Sequence, residues 1–208
     1  MQVRLDDIGK QYGDHWIFQH ISAQLQPDHV YPIIGNNGSG KSTLMLIIAG
    51  YVTPNDGEVA MHDGETALPI ESWYKHLSIA APSMDLFEEF TVSEAVSLHH
   101  QLKPLEDITT SHLLELIELD NHASKQLRNL SSGMRQRLKL ALALHTASQV
   151  LLLDEPCSNL DKKWMRWYNE SLATRKNGKV VVICSNEHSE ELAHATDTPI
   201  DVSASIHH

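Results

Sequence analysis

The chain has 208 residues, 41% of them hydrophobic, and a formal net charge of -11. That apolar share supports one sizeable core and a single compact domain, while the acidic balance argues against a general nucleic-acid surface, which would be basic. No apolar run approaches the roughly 18 residues of a membrane span, and the opening Met1-Gln2-Val3-Arg4-Leu5 has no apolar signal region, so a soluble, cytoplasmic chain is expected. Two cysteines, Cys157 and Cys184, permit neither a metal-type spacing nor a disulfide framework, and reduced thiols are expected. The fourteen histidines are scattered, apart from His99-His100 and His207-His208.

Residues 2–7 alternate apolar and polar, as a half-buried strand does, and residues 16–25 alternate again before a Pro27-Asp28 turn. Residues 30–34 are a short apolar strand running into Gly35-Asn36-Asn37-Gly38-Ser39-Gly40, which no strand or helix interior tolerates. Residues 43–49 follow as a helix capped by Gly50, and Pro54-Asn55-Asp56-Gly57 reads as a turn. The stretch 91–126 is helical in pattern, with Leu113, Leu114, Ile117 and Leu119 as candidate core; 132–145 is a second helix. A buried strand at 149–153, a helix at 162–174 and another buried strand at 179–184 complete the series. Apolar strands alternating with helices indicate a parallel sheet covered on both faces.

Two segments carry chemistry. Gly35-Asn36-Asn37-Gly38-Ser39-Gly40-Lys41-Ser42 matches the P-loop pattern in full. Glycines let backbone N–H groups wrap an anion, and a helix starting near Lys41, with Thr43 in its first turn, adds a positive dipole end. Lys41 is expected on the β- and γ-phosphates and Ser42 on Mg²⁺. Further on, Leu151-Leu152-Leu153-Asp154-Glu155 is a buried strand ending in two carboxylates. Such an end suits a Walker B element, with Asp154 supporting Mg²⁺ and Glu155 polarising the attacking water.

With these in place, the chain resembles the nucleotide-binding subunits of ABC transporters over nearly its whole length. Leu130-Ser131-Ser132-Gly133-Met134-Arg135-Gln136-Arg137 resembles the family's signature, and Ser158-Asn159-Leu160-Asp161 its D-loop. The resemblance implies an α/β fold: a P-loop NTPase (RecA-like) core with a parallel sheet, an N-terminal antiparallel β subdomain, and an inserted helical signature subdomain at about 84–146. The whole of 1–208 would be one ABC ATP-binding domain. It further implies that Tyr12 stacks on adenine, with Trp16 or Phe18 as alternatives. Ser131, Ser132 and Gly133, opening a helix, would face the γ-phosphate held by a second subunit. The implied partners are another ATPase subunit, in a homodimer or heterodimer around two ATP, and an integral membrane transporter subunit, with no nucleic acid. The implied location is cytoplasmic, peripheral at the inner face of the cell membrane. Phe87 and Phe90 are candidates for contact with the membrane subunit, or equally for helical core.

Three family motifs differ. Ser132 and Met134 replace a glycine and a glutamine of the signature; no glutamine stands near Pro82-Ser83, where the Q-loop is expected; and Asn186 occupies the switch-histidine place. Asparagine can donate to a phosphate oxygen but cannot relay a proton, and His188, two residues on, is the alternative. Binding is therefore expected to survive and hydrolysis to be slow. A non-transport ABC-type ATPase and a slow-turnover nucleotide-dependent regulator are the alternative readings.

Overall fold

The computed structural model describes residues 1–186 and 190–203. Strands β1 (Gln2–Tyr12) and β2 (His15–Leu25) form a long hairpin, and β3 (His29–Ile34) leads through the glycine-rich loop into helix α1 (Lys41–Ile48). Next come β4 (Asp56–Asp63), β5 (Thr66–Ala67), a 3-10 turn at Ile70–Lys75 and β6 (Leu77–Ala80). A helical region holds α2 (Val92–Leu102), α3 (Thr110–Leu116) and α4 (Ser132–His145). The chain then runs through β7 (Val150–Asp154), α5 (Lys162–Arg175), β8 (Val180–Ser185) and β9 (Ile200–Asp201).

Two sheets result. One is antiparallel, ordered β2-β1-β4-β5; the other is ordered β6-β7-β8-β3-β9, each adjacent pair parallel. The period-two geometry of strands explains the uninterrupted apolar runs of β7 and β8. Leu151, Leu153, Val181 and Ile183 enter one core with α2–α5, while Val150, Leu152, Val180, Val182 and Cys184 enter another with α1 and the antiparallel sheet. Both faces of the parallel sheet are thus covered, and the helical region lies on one of them.

Several expectations change in detail. The stretch 91–126 is not continuous helix. Pro104 excludes helical backbone at Lys103, which is extended and ends α2, and Asp107 then turns through a left-handed conformation. Leu113, Leu114, Ile117 and Leu119 are nonetheless buried, as their spacing indicates. Thr91 opens α2 with a capping box, its hydroxyl accepting from the Glu94 N–H while the Glu94 carboxylate accepts from the Thr91 N–H. Residues 54–57 are a turn only in their first half. Asp56 starts β4, and Gly57, at φ 76°, stands opposite a bulge of β1 at Asp7-Ile8, where a Cβ would strike the Asp6 and Asp7 carbonyls.

Candidate functional site

The register of the parallel sheet builds the site. Ile33 and Asp154 both lie opposite Cys184, so β3, β7 and β8 end together. The residues that follow, Gly35, Glu155 and Asn186, therefore emerge at one carboxyl edge, the usual ligand side of an open α/β sheet.

The loop from Gly35 to Gly40 bends where side chains have no room. Gly35 has φ 149°, and a Cβ there would lie 2.5 Å from Ser39 Oγ and 2.8 Å from Ser203 Oγ. Gly40 caps α1 at φ 100°, with Ile17 and Phe18 of β2 packed against the place a Cβ would take. Lys41 is buried, and its Nζ donates to Gly35 O (2.7 Å), Asn36 O (3.1 Å) and Asn186 Oδ1 (2.6 Å). A cavity of about 380 Å³ opens over this loop, lined by Gly35, Asn36, Asn37, Asn186, Asp201 and Ser203. The Ser39 hydroxyl is buried without a hydrogen-bond partner among the described residues, a polar atom left for an incoming oxygen. The loop thus fits an anionic, phosphate-bearing ligand: a glycine-shaped cradle, a buried cation and an unsatisfied donor converge on it.

Asp154 is buried at the end of β7. Loss of solvation raises its carboxyl pKa; a hydrogen bond with the Ser42 side chain opposes this, Glu155 raises it further, and Lys41 lowers it. The Ser42 and Asp154 oxygens, already paired, form the hard-oxygen donor set that suits Mg²⁺, an ion that takes one or two protein groups and completes its shell with phosphate and water.

Glu155 sits at φ 45°, its N–H bonded to Cys184 O at 3.0 Å. Asn186 Nδ2 donates to its Oε1 at 2.8 Å and Ser158 Oγ to its Oε2 at 3.2 Å. Asn186 therefore bridges the phosphate-loop lysine and the strand-end carboxylate. His188, the sequence alternative to Asn186, lies outside the described residues, as do His207 and His208.

Ser131, Ser132 and Gly133 do open a helix. Ser131 is the N-cap of α4, its Oγ accepting from the Met134 N–H at 3.2 Å. A Cβ on Gly133 would lie 2.9 Å from the Asn159 carbonyl oxygen, so the helix start packs directly on the loop after Glu155. Gln136 Nε2 reinforces that contact by donating to Pro156 O at 3.0 Å. A second cavity of about 280 Å³ runs between Pro82, Ser132, Arg135, Gln136, Glu155 and Asn159. The signature segment thus lies beside Glu155, and the phosphate loop lines a different cavity.

Tyr12 ends β1, 56% exposed, with Lys10 Nζ 5.2 Å from its ring centre. Its hairpin continues to the β2 residues packed on Gly40, so the exposed Tyr12 belongs to the same hairpin that flanks the phosphate loop. Phe18 is fully buried and unable to stack on a ligand; Trp16 is half-buried. Phe87 is 66% exposed, whereas Phe90, 5.4 Å from it, packs on the helical core. The residues that sequence reasoning passed over are Gln136 as a brace, and Glu191 and Ser203, single polar residues in motif-free segments.

The family model described as ABC transporter matches residues 18–158. The sulfate/thiosulfate import ATP-binding protein of Mesostigma viride is 34% identical over 167 residues, 78% of this chain and 48% of that protein. The spermidine/putrescine import ATP-binding protein of Thermotoga maritima is 32% identical over 166 residues, covering 78% and 45%. The chain spans about half the length of these relatives. Among solved structures, an ABC transporter ATP-binding protein from Pyrococcus furiosus superposes with a TM-score of 0.79 at 21% identity, over 99% of both chains. That likeness establishes the fold.

Proposed function

On the premise that the chain belongs to the ABC transporter family, we propose that it is an ATP-binding and ATP-hydrolysing subunit driving a separate membrane subunit. The observation that carries this reading is the hydrogen-bonded chain Lys41–Asn186–Glu155, which joins the phosphate loop to the carboxylate that can activate water.

In this reading the phosphates enter the loop of residues 35–43. Lys41 exchanges its loop carbonyls for β- and γ-phosphate oxygens, and Tyr12 stacks on the adenine. Ser42 and Asp154 hold Mg²⁺, which when bound neutralises phosphate charge and polarises the γ-phosphoryl group. Glu155 takes a hydrogen bond from the attacking water, with Asn186 and Ser158 fixing its two oxygens. Asn186 carries no exchangeable charge at neutral pH, so turnover is proposed to be slow.

The signature lines a cavity other than the one over its own phosphate loop, which supports a head-to-tail pair. In that pair Ser131, Ser132 and Gly133 present the start of α4 to the ATP held by a second subunit. Residues 1–208 then form one ABC ATP-binding domain, with 84–146 as the helical subdomain. No helix among the described residues is long and apolar enough to cross a membrane. From its family the chain is proposed to sit peripherally at the inner, cytoplasmic face of the cell membrane, with exposed Phe87 a candidate contact for the membrane subunit. The relatives named above serve an anion and a polycation at nearly equal identity to this chain, so cargo choice is assigned to other subunits.

Titration calorimetry with ATP and Mg²⁺, followed by a phosphate-release assay, tests the core of the proposal. Micromolar binding with slow turnover supports it, and absence of binding overturns it.

A further inference from the structure

We propose that Glu191 is a positioning residue for hydrolysis, its buried carboxylate tying the turn that carries Glu155 to the strand end that carries Asn186. The inference rests on the ATPase reading above.

Glu191 follows β8 in a turn and is only 1% exposed. Its Oε1 accepts the Cys157 N–H at 3.0 Å, and its Oε2 accepts the Ser185 hydroxyl at 2.5 Å. Cys157 lies two residues beyond Glu155, and Ser185 immediately precedes Asn186. Because Asn186 Nδ2 donates to Glu155 Oε1 at 2.8 Å, the contacts close into a ring. It passes from Glu155 along the backbone to Cys157, across Glu191 to Ser185, and through Asn186 back to Glu155.

Two features give this ring a purpose. First, burying a carboxylate is unfavourable unless it is hydrogen-bonded, and an apolar residue would fill the same space without that demand. The neighbouring Leu192 already anchors the turn on the helical core. Second, Glu155 is held at φ 45°, a backbone state that L residues adopt only where the surroundings enforce it. The Glu155 N–H is bound to Cys184 O, and the next free amide of the turn, that of Cys157, is the one Glu191 takes. Removing Glu191 releases the far side of the turn, and the Glu155 carboxylate loses its fixed distance from the phosphate loop. A misplacement of about 1 Å is enough to slow a positioned reaction by roughly a hundredfold.

The test compares Glu191→Ala and Glu191→Gln in the full chain by turnover, by ATP affinity, and by amide hydrogen exchange over residues 156–160. Glutamine keeps an oxygen for Cys157 and an amide that Ser185 can meet by accepting. We expect Glu191→Ala to lower kcat at least tenfold, to leave the ATP Kd within about threefold, and to speed exchange at least tenfold, while Glu191→Gln stays within about threefold of the parent. Unchanged kcat and exchange in Glu191→Ala overturn the proposal, as does an equal loss of kcat and affinity. If Glu191→Ala does not fold, Ser185→Ala cuts one arm of the ring: a kcat loss of three- to tenfold at constant Kd supports the role, and unchanged kcat overturns it. A parent chain without turnover overturns the ATPase reading and the catalytic role together; the exchange result separates that failure from a failure of the tie itself.

Discussion

Lys41 and Asn186 meet across 2.6 Å, the ammonium donating to the amide oxygen, although the two residues come from different strand ends. With the Gly35 and Asn36 carbonyls, this gives Lys41 three acceptors in a buried setting. A buried cation so held has its solvation already replaced, and phosphate oxygens can take over the same donors. Lys41→Ala removes the charge and leaves those acceptors unmet. Charge-assisted hydrogen bonds contribute about 1.5–3 kcal/mol each, so ATP affinity is expected to fall by roughly a hundredfold or more. Calorimetry showing unchanged affinity would remove the phosphate-loop assignment.

Glu155→Gln should separate binding from turnover. Glutamine can still accept from one neighbour, so the turn from Glu155 to Ser158 is expected to keep its shape. It cannot take up a proton from water, and a positioned acid–base group is worth about 10²–10⁴-fold. The variant is therefore expected to bind ATP normally, hydrolyse it at least a hundredfold more slowly, and accumulate as an ATP-bound pair on size exclusion. Hydrolysis at the parent rate would show that Glu155 is not the base.

Gly133→Ala sets two effects against each other. In a helix, alanine in place of glycine ordinarily adds about 1 kcal/mol of stability, and Gly133 has no left-handed backbone to preserve. Here the new Cβ would lie 2.9 Å from the Asn159 carbonyl oxygen, a backbone atom that moves only if the loop after Glu155 moves. The clash is expected to win, giving a net loss of about 1–2 kcal/mol and a melting temperature lower by several degrees, with turnover reduced alongside. A variant more stable than the parent would show that the loop yields freely.

Much of this arrangement is legible in the residues. The apolar runs of β7 and β8 announce strands buried on both faces, and the glycines before Lys41 announce a bend of the kind an anion cradle needs. The position of Asn186 is legible too, because it ends such a run. That it touches Lys41 and Glu155 at once is not, since this depends on the register placing Ile33 and Asp154 opposite Cys184. Strands β4, β5, β6 and β9 escape sequence reading for a related reason. They are short or polar-rich, and β4, β6 and β9 pair with β1, β7 and β3, which are distant in the chain, while β5 is only two residues long and pairs with β4 alone. Pro104 was a visible break inside the 91–126 stretch, and its steric effect on Lys103 outweighs the helical periodicity around it.

Burial of histidine makes stability depend on acid. His145 is buried, and neither ring nitrogen has a hydrogen-bond partner among the described residues. Burial first, then Arg175 and Lys179, lower its pKa to about 4; Glu106 opposes them and His112 adds to them. Above the unfolded value of about 6.5, both states are unprotonated and this group contributes no slope. Between about 6.5 and 4 the unfolded chain binds the proton first, so stability falls as pH falls; below about 4 the loss is complete. His145→Leu removes a group that makes no hydrogen bond. It is expected to leave stability at pH 7.5 unchanged or higher, and to reduce the loss between pH 7.5 and pH 4.5 by about 2–3 kcal/mol. Urea unfolding at both pH values measures this. His99, also lowered to about 4 by burial, then Lys103 and His100, keeps a remaining slope in the variant; an unaltered slope would assign the whole acid response to other groups.

Asn186→His asks what the switch position contributes. In the structure the asparagine spends both ends of its amide, accepting from Lys41 and donating to Glu155. It orients the two groups but adds no charge of its own to the γ-phosphate. A neutral imidazole can make the same pair of contacts, one nitrogen accepting and the other donating. Once protonated it can no longer accept from Lys41, and it becomes a charged donor aimed at developing phosphate charge. Charged hydrogen bonds are roughly twice as strong as neutral ones, so hydrolysis is expected to rise about tenfold with little change in ATP affinity. The rival idea is that His188 already supplies this charge. The two make opposite forecasts for one pair of variants. A harmless His188→Ala with a faster Asn186→His identifies residue 186 as a weakened switch. A crippled His188→Ala with an unchanged Asn186→His moves the role to His188 and leaves Asn186 as the brace between Lys41 and Glu155.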